Sequence, residues 1–306
     1  MSGLMQIQNK STIERTLTVL EKAFRPLLLR FHPITISRIR RRCPTAAKIL
    51  LFTAVVLMFL SSTDYARRVI LPMFGVGIKH CVYINLDRRP DRKERVEKQL
   101  KRAGMNCVRI SAVDVSVNDT AALEGCWDGG LRQCPGKIGC QRSHVAALSY
   151  AQHHRWDHVA VFEDDFEWFP AVQPTRVQRI MRRVQSLHDD WNVIILSANV
   201  AVHELIQPEE RMVTRKSPST ISKVTLVKDA QTTHGYMVRG RYIGAVLEAF
   251  ATCDVKAGPS AAIDQCWKSL QTEHWYGFVP NLGTQAPGYS DVEKEVVNYE
   301  GAFDRV

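Results

Sequence analysis

The sequence predicts an α/β body, and three observations lead there. From residue 79 onward, apolar runs of strand length take turns with segments of helical period. Several of those runs end abruptly in polar or acidic residues. The composition, 45% hydrophobic, 24% charged and 8% aromatic over 306 residues, is ordinary globular composition and excludes collagen-like, low-complexity and largely disordered chains. That length suffices for one large domain or two small ones with a sizeable core.

The elements follow in order. Residues 80–86 are a short apolar run ending at an Asn, and in 88–103 Val96, Leu100 and Ala103 recur at helical spacing. Residues 106–113 read as a strand, 114–136 as an aperiodic loop crossing the sheet, 138–154 as a helix, 158–162 as a strand, 173–187 as a helix and 192–197 as a strand. Strands alternating with helices of this length favour parallel pairing through right-handed crossovers, with the site at the carboxyl ends of the strands. Helices at 241–253 and 261–272, a strand at 276–280 and a Gly/Pro-rich tail over 281–290 complete the body. No internal repeat is present, so one domain over 79–306 is the economical division.

The net charge of +10 is unevenly placed. The first 48 residues hold ten Lys/Arg against two Glu, a net +8, which leaves +2 for the remainder. A nearly neutral body argues against a nucleic-acid surface there, since phosphate affinity needs clustered Lys and Arg. The basic leader runs into an uncharged apolar stretch at 49–60, and 46–65 gives roughly the 20 residues of a bilayer span if Lys48 snorkels. A buried core helix is one alternative, and a basic arm on anionic lipid or nucleic acid is another. A cleaved signal is disfavoured by the length of the basic segment. The adopted division is a basic cytosolic tail at 1–45, a transmembrane signal anchor at 46–65 and a stem at 66–78. Arg38, Arg40, Arg41 and Arg42 precede the apolar run while Arg67 and Arg68 follow it, so the positive-inside tendency predicts a single-pass type II protein with a lumenal body. Seven of the eight cysteines lie beyond the anchor, compatible with disulfides in an oxidising compartment. Their spacing matches no Cys-x-x-Cys zinc pattern, and an odd number leaves at least one thiol outside intrachain pairs.

Three constellations carry chemistry. Val159-Ala160-Val161-Phe162 ends in Glu163-Asp164-Asp165, and three adjacent carboxylates at the end of a buried strand repel unless a cation or donors offset them. Oxygen ligands suit hard dications such as magnesium or manganese; the bland alternative is a solvated acidic turn. Gly136-Lys137-Ile138-Gly139-Cys140-Gln141-Arg142-Ser143-His144 places glycines before a helix whose exposed amides can receive phosphate or hydroxyl oxygens, with a satisfied core His144 as the alternative. Asn85-Leu86-Asp87-Arg88-Arg89-Pro90-Asp91-Arg92 sets guanidinium groups, suited to phosphate, where a strand gives way to a helix; a solvated first turn explains such runs as well.

Taken in order, these segments resemble glycosyltransferase family 25. The matching pieces are Val82-Tyr83-Ile84-Asn85-Leu86 with Arg88, Arg89, Asp91 and Arg92; Ala112-Val113-Asp114; Gly139-Cys140 with Ser143-His144; Val161-Phe162-Glu163-Asp164-Asp165; Asp190-Trp191-Asn192; Thr233-His234-Gly235-Tyr236; Ile263-Asp264; and Gly288-Tyr289-Ser290-Asp291. Val115 replaces the usual Gly after the Ala-Val-Asp piece, and Gln285 is followed by Ala286 and Pro287 where the family commonly has a Ser. The resemblance implies a GT-A type, Rossmann-like nucleotide-sugar domain. It implies inverting transfer of a hexose, most often galactose from UDP-galactose, to a hydroxyl of a glycan or protein, with Mn2+ or Mg2+ as cofactor. On that reading Asp165, aided by Asp164 and Glu163, holds the cation, and Asp291 completes its shell or holds the donor. Asn85, Arg88, Ser143, His144, Glu163 and Asp164 line the nucleotide-sugar site, and Asp264 is the catalytic base. An N-terminal helix residue meeting the dipole is the other reading of Asp264, and a catalytically inactive, membrane-anchored binding module is the other reading of the chain.

Overall fold

The computed structural model describes residues 77–127, 132–169, 172, 174–205, 223–272 and 274–298. Among them no helix is long and apolar enough to cross a membrane. The tail, the anchor and all but the last two residues of the expected stem lie outside them.

The chain runs β1 (Cys81–Asn85), α1 (Pro90–Arg102), β2 (Val108–Ser111), α2 (Thr120–Leu123), α3 (Cys134–His153), β3 (His158–Glu163), β4 (Phe166–Trp168), α4 (Pro174–Leu187), β5 (Val193–Leu205), β6 (Lys223–Arg239), α5 (Ile243–Ala251), α6 (Ile263–Cys266), β7 (Trp275–Val279), β8 (Gly283–Gln285), β9 (Gly288–Tyr289) and β10 (Val296–Val297). The main sheet has the order β2-β1-β3-β6-β5-β7. β1 pairs parallel with both β2 and β3, as the alternation predicts. The expectation of parallel pairing fails at β6, which lies antiparallel to β3, β5 and β7, so the body is a mixed α/β sheet.

Both faces of the sheet are covered, which is why β3 reads as a continuous apolar run. Successive side chains point to opposite faces. Ala160 and Phe162 join the core that holds Val96 and Leu100 of α1 and Met181 of α4. Val159 and Val161 join the opposite core, with Ala147 and Leu148 of α3 and Phe250 of α5.

Two sequence expectations are corrected here. Helix α3 starts at Cys134, with Pro135 in its first turn, rather than at residue 138. Gly136 and Gly139 therefore sit inside it, where they permit close approach: a Cβ on Gly139 would meet the Val113 carbonyl oxygen at 2.5 Å, and one on Gly136 the Val292 Cα at 2.7 Å. The amides at Gly139 and Cys140 lie beyond the first turn, where the helical ladder uses them. The helix expected over 261–272 breaks into α6 and a 3₁₀ turn at Lys268–Leu270. Cys266 is joined to Cys253, and the fully buried Trp267 packs among Tyr236, Phe250 and Trp275. Disulfides also link Cys81 to Cys107 and Cys126 to Cys134, leaving Cys140 as the free cysteine among the described residues.

Candidate active site

A cleft opens at the carboxyl ends of β1 and β3, walled by the start of α1, the residues after β2, one side of α3 and the turn between β9 and β10. Asn85, Arg88, Ser143, His144, Glu163, Asp164, Asp165 and Asp291 all line it. Asp264 does not.

The acidic triplet divides. Glu163, the last residue of β3, reaches across to α3 and β6, where its Oε1 contacts His144 Nε2 at 3.2 Å and accepts from the Thr233 hydroxyl at 2.8 Å. Asp164 and Asp165 meet the buried Arg92 instead. The Arg92 Nη1 donates to Asp164 Oδ1 at 2.9 Å and to Asp165 Oδ2 at 3.3 Å. Asn85 Nδ2 donates to the other Asp164 oxygen at 2.8 Å, and Gln285 Nε2 to Asp165 Oδ2 at 3.0 Å. Asp165 Oδ1 is buried and has no hydrogen-bond partner among the described residues.

Around the rim, Arg88 and Arg89 each donate to a different oxygen of Asp291, at 2.6 and 2.7 Å. Arg88 also pairs with Asp114 at 2.7 Å, and Arg92 Nη2 donates to the Tyr289 carbonyl at 2.7 Å. The turn carrying Asp291 is thus tied to the start of α1. Ser143 spends its hydroxyl on the backbone, donating to Gly139 O and accepting from Val113 N. His144 is buried, with Nδ1 at 2.9 Å from the Tyr236 hydroxyl.

Asp264 opens α6, where its Oδ2 accepts from the Thr232 amide at 2.8 Å. Thr232 has a φ of 73°, a left-handed conformation unusual for a β-branched residue and of the kind that clusters at functional sites. The loop preceding α6 is fixed by the buried Lys137, whose ammonium donates to the carbonyls of Gly258, Pro259 and Ala261.

Electrostatics single out Asp165. Burial pushes its carboxyl up to about 7, helped by the charges of Glu163 and Asp164 and opposed by Arg92. Burial also raises Asp164 against Arg92 and Asn85. Burial works to raise Glu163 too, but the hydrogen bond and charge of His144 outweigh it and hold that carboxyl low. Five carboxylates, Asp114, Glu163, Asp164, Asp165 and Asp291, line the cleft against Arg88, Arg92 and Lys294. One guanidinium between Asp164 and Asp165 therefore leaves a deficit of positive charge and one buried oxygen without a donor. That oxygen set fits a hard dication.

Motif reading quoted Arg89, Arg92, Lys137 and Gln285 but gave none of them a place among the site residues. Arg92 had a signal: it lies on the same stripe of α1 as Val96 and Leu100, and an arginine on a buried stripe requires an acidic partner. Gln285 had none, because it reaches Asp165 only through the pairing of β4 with β8.

Residues 79–267 match a family described as glycosyltransferase family 25 (LPS biosynthesis protein). Among curated proteins, the chain is 28% identical over 134 residues to procollagen galactosyltransferase 1 of Danio rerio, covering 40% of this chain and 22% of that protein. It is 26% identical over 157 residues to the probable inactive glycosyltransferase 25 family member 3 of Bos taurus, covering 48% and 25%. The matches thus span about a quarter of those relatives' length. Among solved structures, UDP-glucose pyrophosphorylase complexed with UDP-glucose is similar at a TM-score of 0.38 and 10% identity, covering 74% of this chain and 97% of that one.

Proposed function

We infer, from the premise that this chain belongs to glycosyltransferase family 25, that its cleft transfers a hexosyl group from a nucleotide sugar to a hydroxyl acceptor. The observation that carries the reading is the buried, unpartnered Asp165 oxygen in a cleft with more carboxylates than cations. On this reading the body is a GT-A type nucleotide-sugar domain, the donor is a UDP-sugar, galactose first, and the acceptor is a glycan or protein hydroxyl.

Asp165 and Asp164 would hold Mn2+ or Mg2+, with Asp291 free to join if its arginines turn to the donor. The ion's contribution is to neutralise charge developing on the diphosphate leaving group. Asn85 and Arg88 orient the nucleotide and its phosphates from the end of β1. His144 and Thr233 keep Glu163 ionised at the cleft floor. Asp264 is assigned as the base that accepts the acceptor's hydroxyl proton, which in an inverting displacement leaves opposite the departing diphosphate. Its support is its half-buried place at the start of α6 beside the strained Thr232.

The same reading keeps a type II membrane protein with a lumenal body and its anchor over 46–65. Three disulfides among the described residues support an oxidising compartment.

The test is metal-dependent UDP release and sugar transfer from UDP-galactose and a panel of other nucleotide sugars. Asp264→Asn should bind donor and metal as wild type yet lose transfer by ~100-fold or more. Transfer that survives Asp264→Asn but is lost in Glu163→Gln would move the base to Glu163. No turnover of any donor with metal present would favour a catalytically silent binding module.

A further inference from the structure

Glu163 turns away from the other two acids toward a pair of side chains that the transfer reading does not need as metal ligands. Cys140 and His144 are one turn apart on the same face of α3, and both line the cleft. The Cys140 sulfur, a His144 ring nitrogen and a Glu163 carboxylate oxygen all lie within 4.8 Å of one another. We propose that Cys140, His144 and Glu163 form a binding site for a borderline-soft dication of the zinc class, separate from the oxygen set at Asp164 and Asp165.

The chemistry of the donors differs between the two sets. Thiolate, imidazole and carboxylate together suit zinc, whereas carboxylates alone suit magnesium or manganese. In a tetrahedral zinc site, bond lengths of about 2.0 to 2.3 Å put ligand atoms roughly 3.3 to 3.6 Å apart. The His144–Glu163 contact, at 3.2 Å, is close to that spacing, and with all three atoms within 4.8 Å of one another, closing the site requires a movement of at most about 1 Å. The surroundings also resemble a metal's outer shell. The other ring nitrogen of His144 faces the Tyr236 hydroxyl at 2.9 Å, which fixes the ring, and Thr233 hydrogen-bonds the Glu163 oxygen. Three protein ligands leave a fourth position open toward the cleft, as in reactive rather than structural zinc sites.

Cys140 is the free cysteine among the described residues, and a thiol without metal carries S–H. Binding therefore breaks that S–H bond and forms a Zn–S bond, and ligation by the His144 nitrogen that faces Glu163 displaces the proton held between them; both protons pass to the buffer. No oxidant or reductant takes part.

The experiment uses the full chain stripped with a chelator, no nucleotide present, and two probes: Zn2+ in calorimetry and Co2+ in absorption spectroscopy. One equivalent of Zn2+ should bind, and Co2+ should give a thiolate-to-metal charge-transfer band in the near ultraviolet. Cys140→Ser should abolish the band and weaken zinc by more than ~100-fold, with Cys140→Ala repeating the test if Ser perturbs folding. Tyr236→Phe should weaken zinc by ~10 to 100-fold. Cys43→Ser, at the cysteine of the basic tail outside the described residues, and Asp165→Asn should both keep the band. The proposal is overturned if Co2+ gives no thiolate band, if Cys140→Ser and Cys140→Ala bind zinc as wild type, or if Asp165→Asn removes the zinc. Because donor and manganese are absent, none of these results depends on the transfer reading.

Discussion

Replacing Asp165 by Asn should make the metal-free protein more stable while removing its metal-dependent chemistry. The magnitude follows from the site. A carboxyl pushed from its ordinary ~3.9 to about 7 is disfavoured as an anion in the folded state by roughly 4 kcal/mol. Part of that belongs jointly to Glu163, and the Arg92 contact at 3.3 Å loses charge assistance on substitution. The net gain for Asp165→Asn is about 2 kcal/mol at pH 8. For a domain of this size that corresponds to roughly 4 to 8 °C in Tm. The sign with pH is fixed. A raised folded-state pKa means the folded protein binds the proton more tightly than the unfolded chain, so wild-type stability falls as pH rises from ~4 toward 7. The advantage of the variant should thus be small at pH 4.5 and full at pH 8. Urea unfolding in chelator at both values reads it directly. A variant less stable than wild type at pH 8, or an advantage that grows toward acid, would refute the electrostatic reasoning.

Two further outcomes follow from the packing and the buried histidine. Gly139→Ala places a methyl 2.5 Å from the Val113 carbonyl oxygen, so α3 must shift from the segment after β2, at a cost of about 1 to 3 kcal/mol; an unchanged Tm would contradict that fit. Burial pushes His234 down to about 4, so the folded state holds it neutral; its contribution is complete above ~6.5 and is lost as pH falls toward 4, by up to about 3 kcal/mol. His234→Gln should flatten the acid limb of the stability curve by that amount, and a limb equally steep in the variant would show the proton goes elsewhere.

How much was legible depends on how local each feature is. β3 could be read because covering both faces of a strand turns its pattern into an uninterrupted apolar run. Helix α1 was legible from Val96 and Leu100, and Arg92 could have been read from the same stripe. The start of α3 was hidden because glycine is a loop signal in sequence, and only the Val113 carbonyl and Val292 explain Gly136 and Gly139 within a helix. β6 left no regular period because its register against β5 shifts at several points and buried polar side chains such as Thr233 find distant partners, here Glu163. In the site, the acids and arginines were visible, but their division was not. Glu163 facing His144, and Asp165 facing Arg92 and Gln285, are products of long-range pairing that no local motif encodes.

The most direct measurement is calorimetric titration of Mn2+ into the full chain in the presence of UDP. One equivalent should bind to wild type and to Cys140→Ser, and the binding should vanish in Asp165→Asn. If wild type takes up no manganese, or Asp165→Asn takes it up as wild type does, then the unpartnered carboxylate oxygen at the end of β3 does not hold a metal and the account of this cleft is wrong.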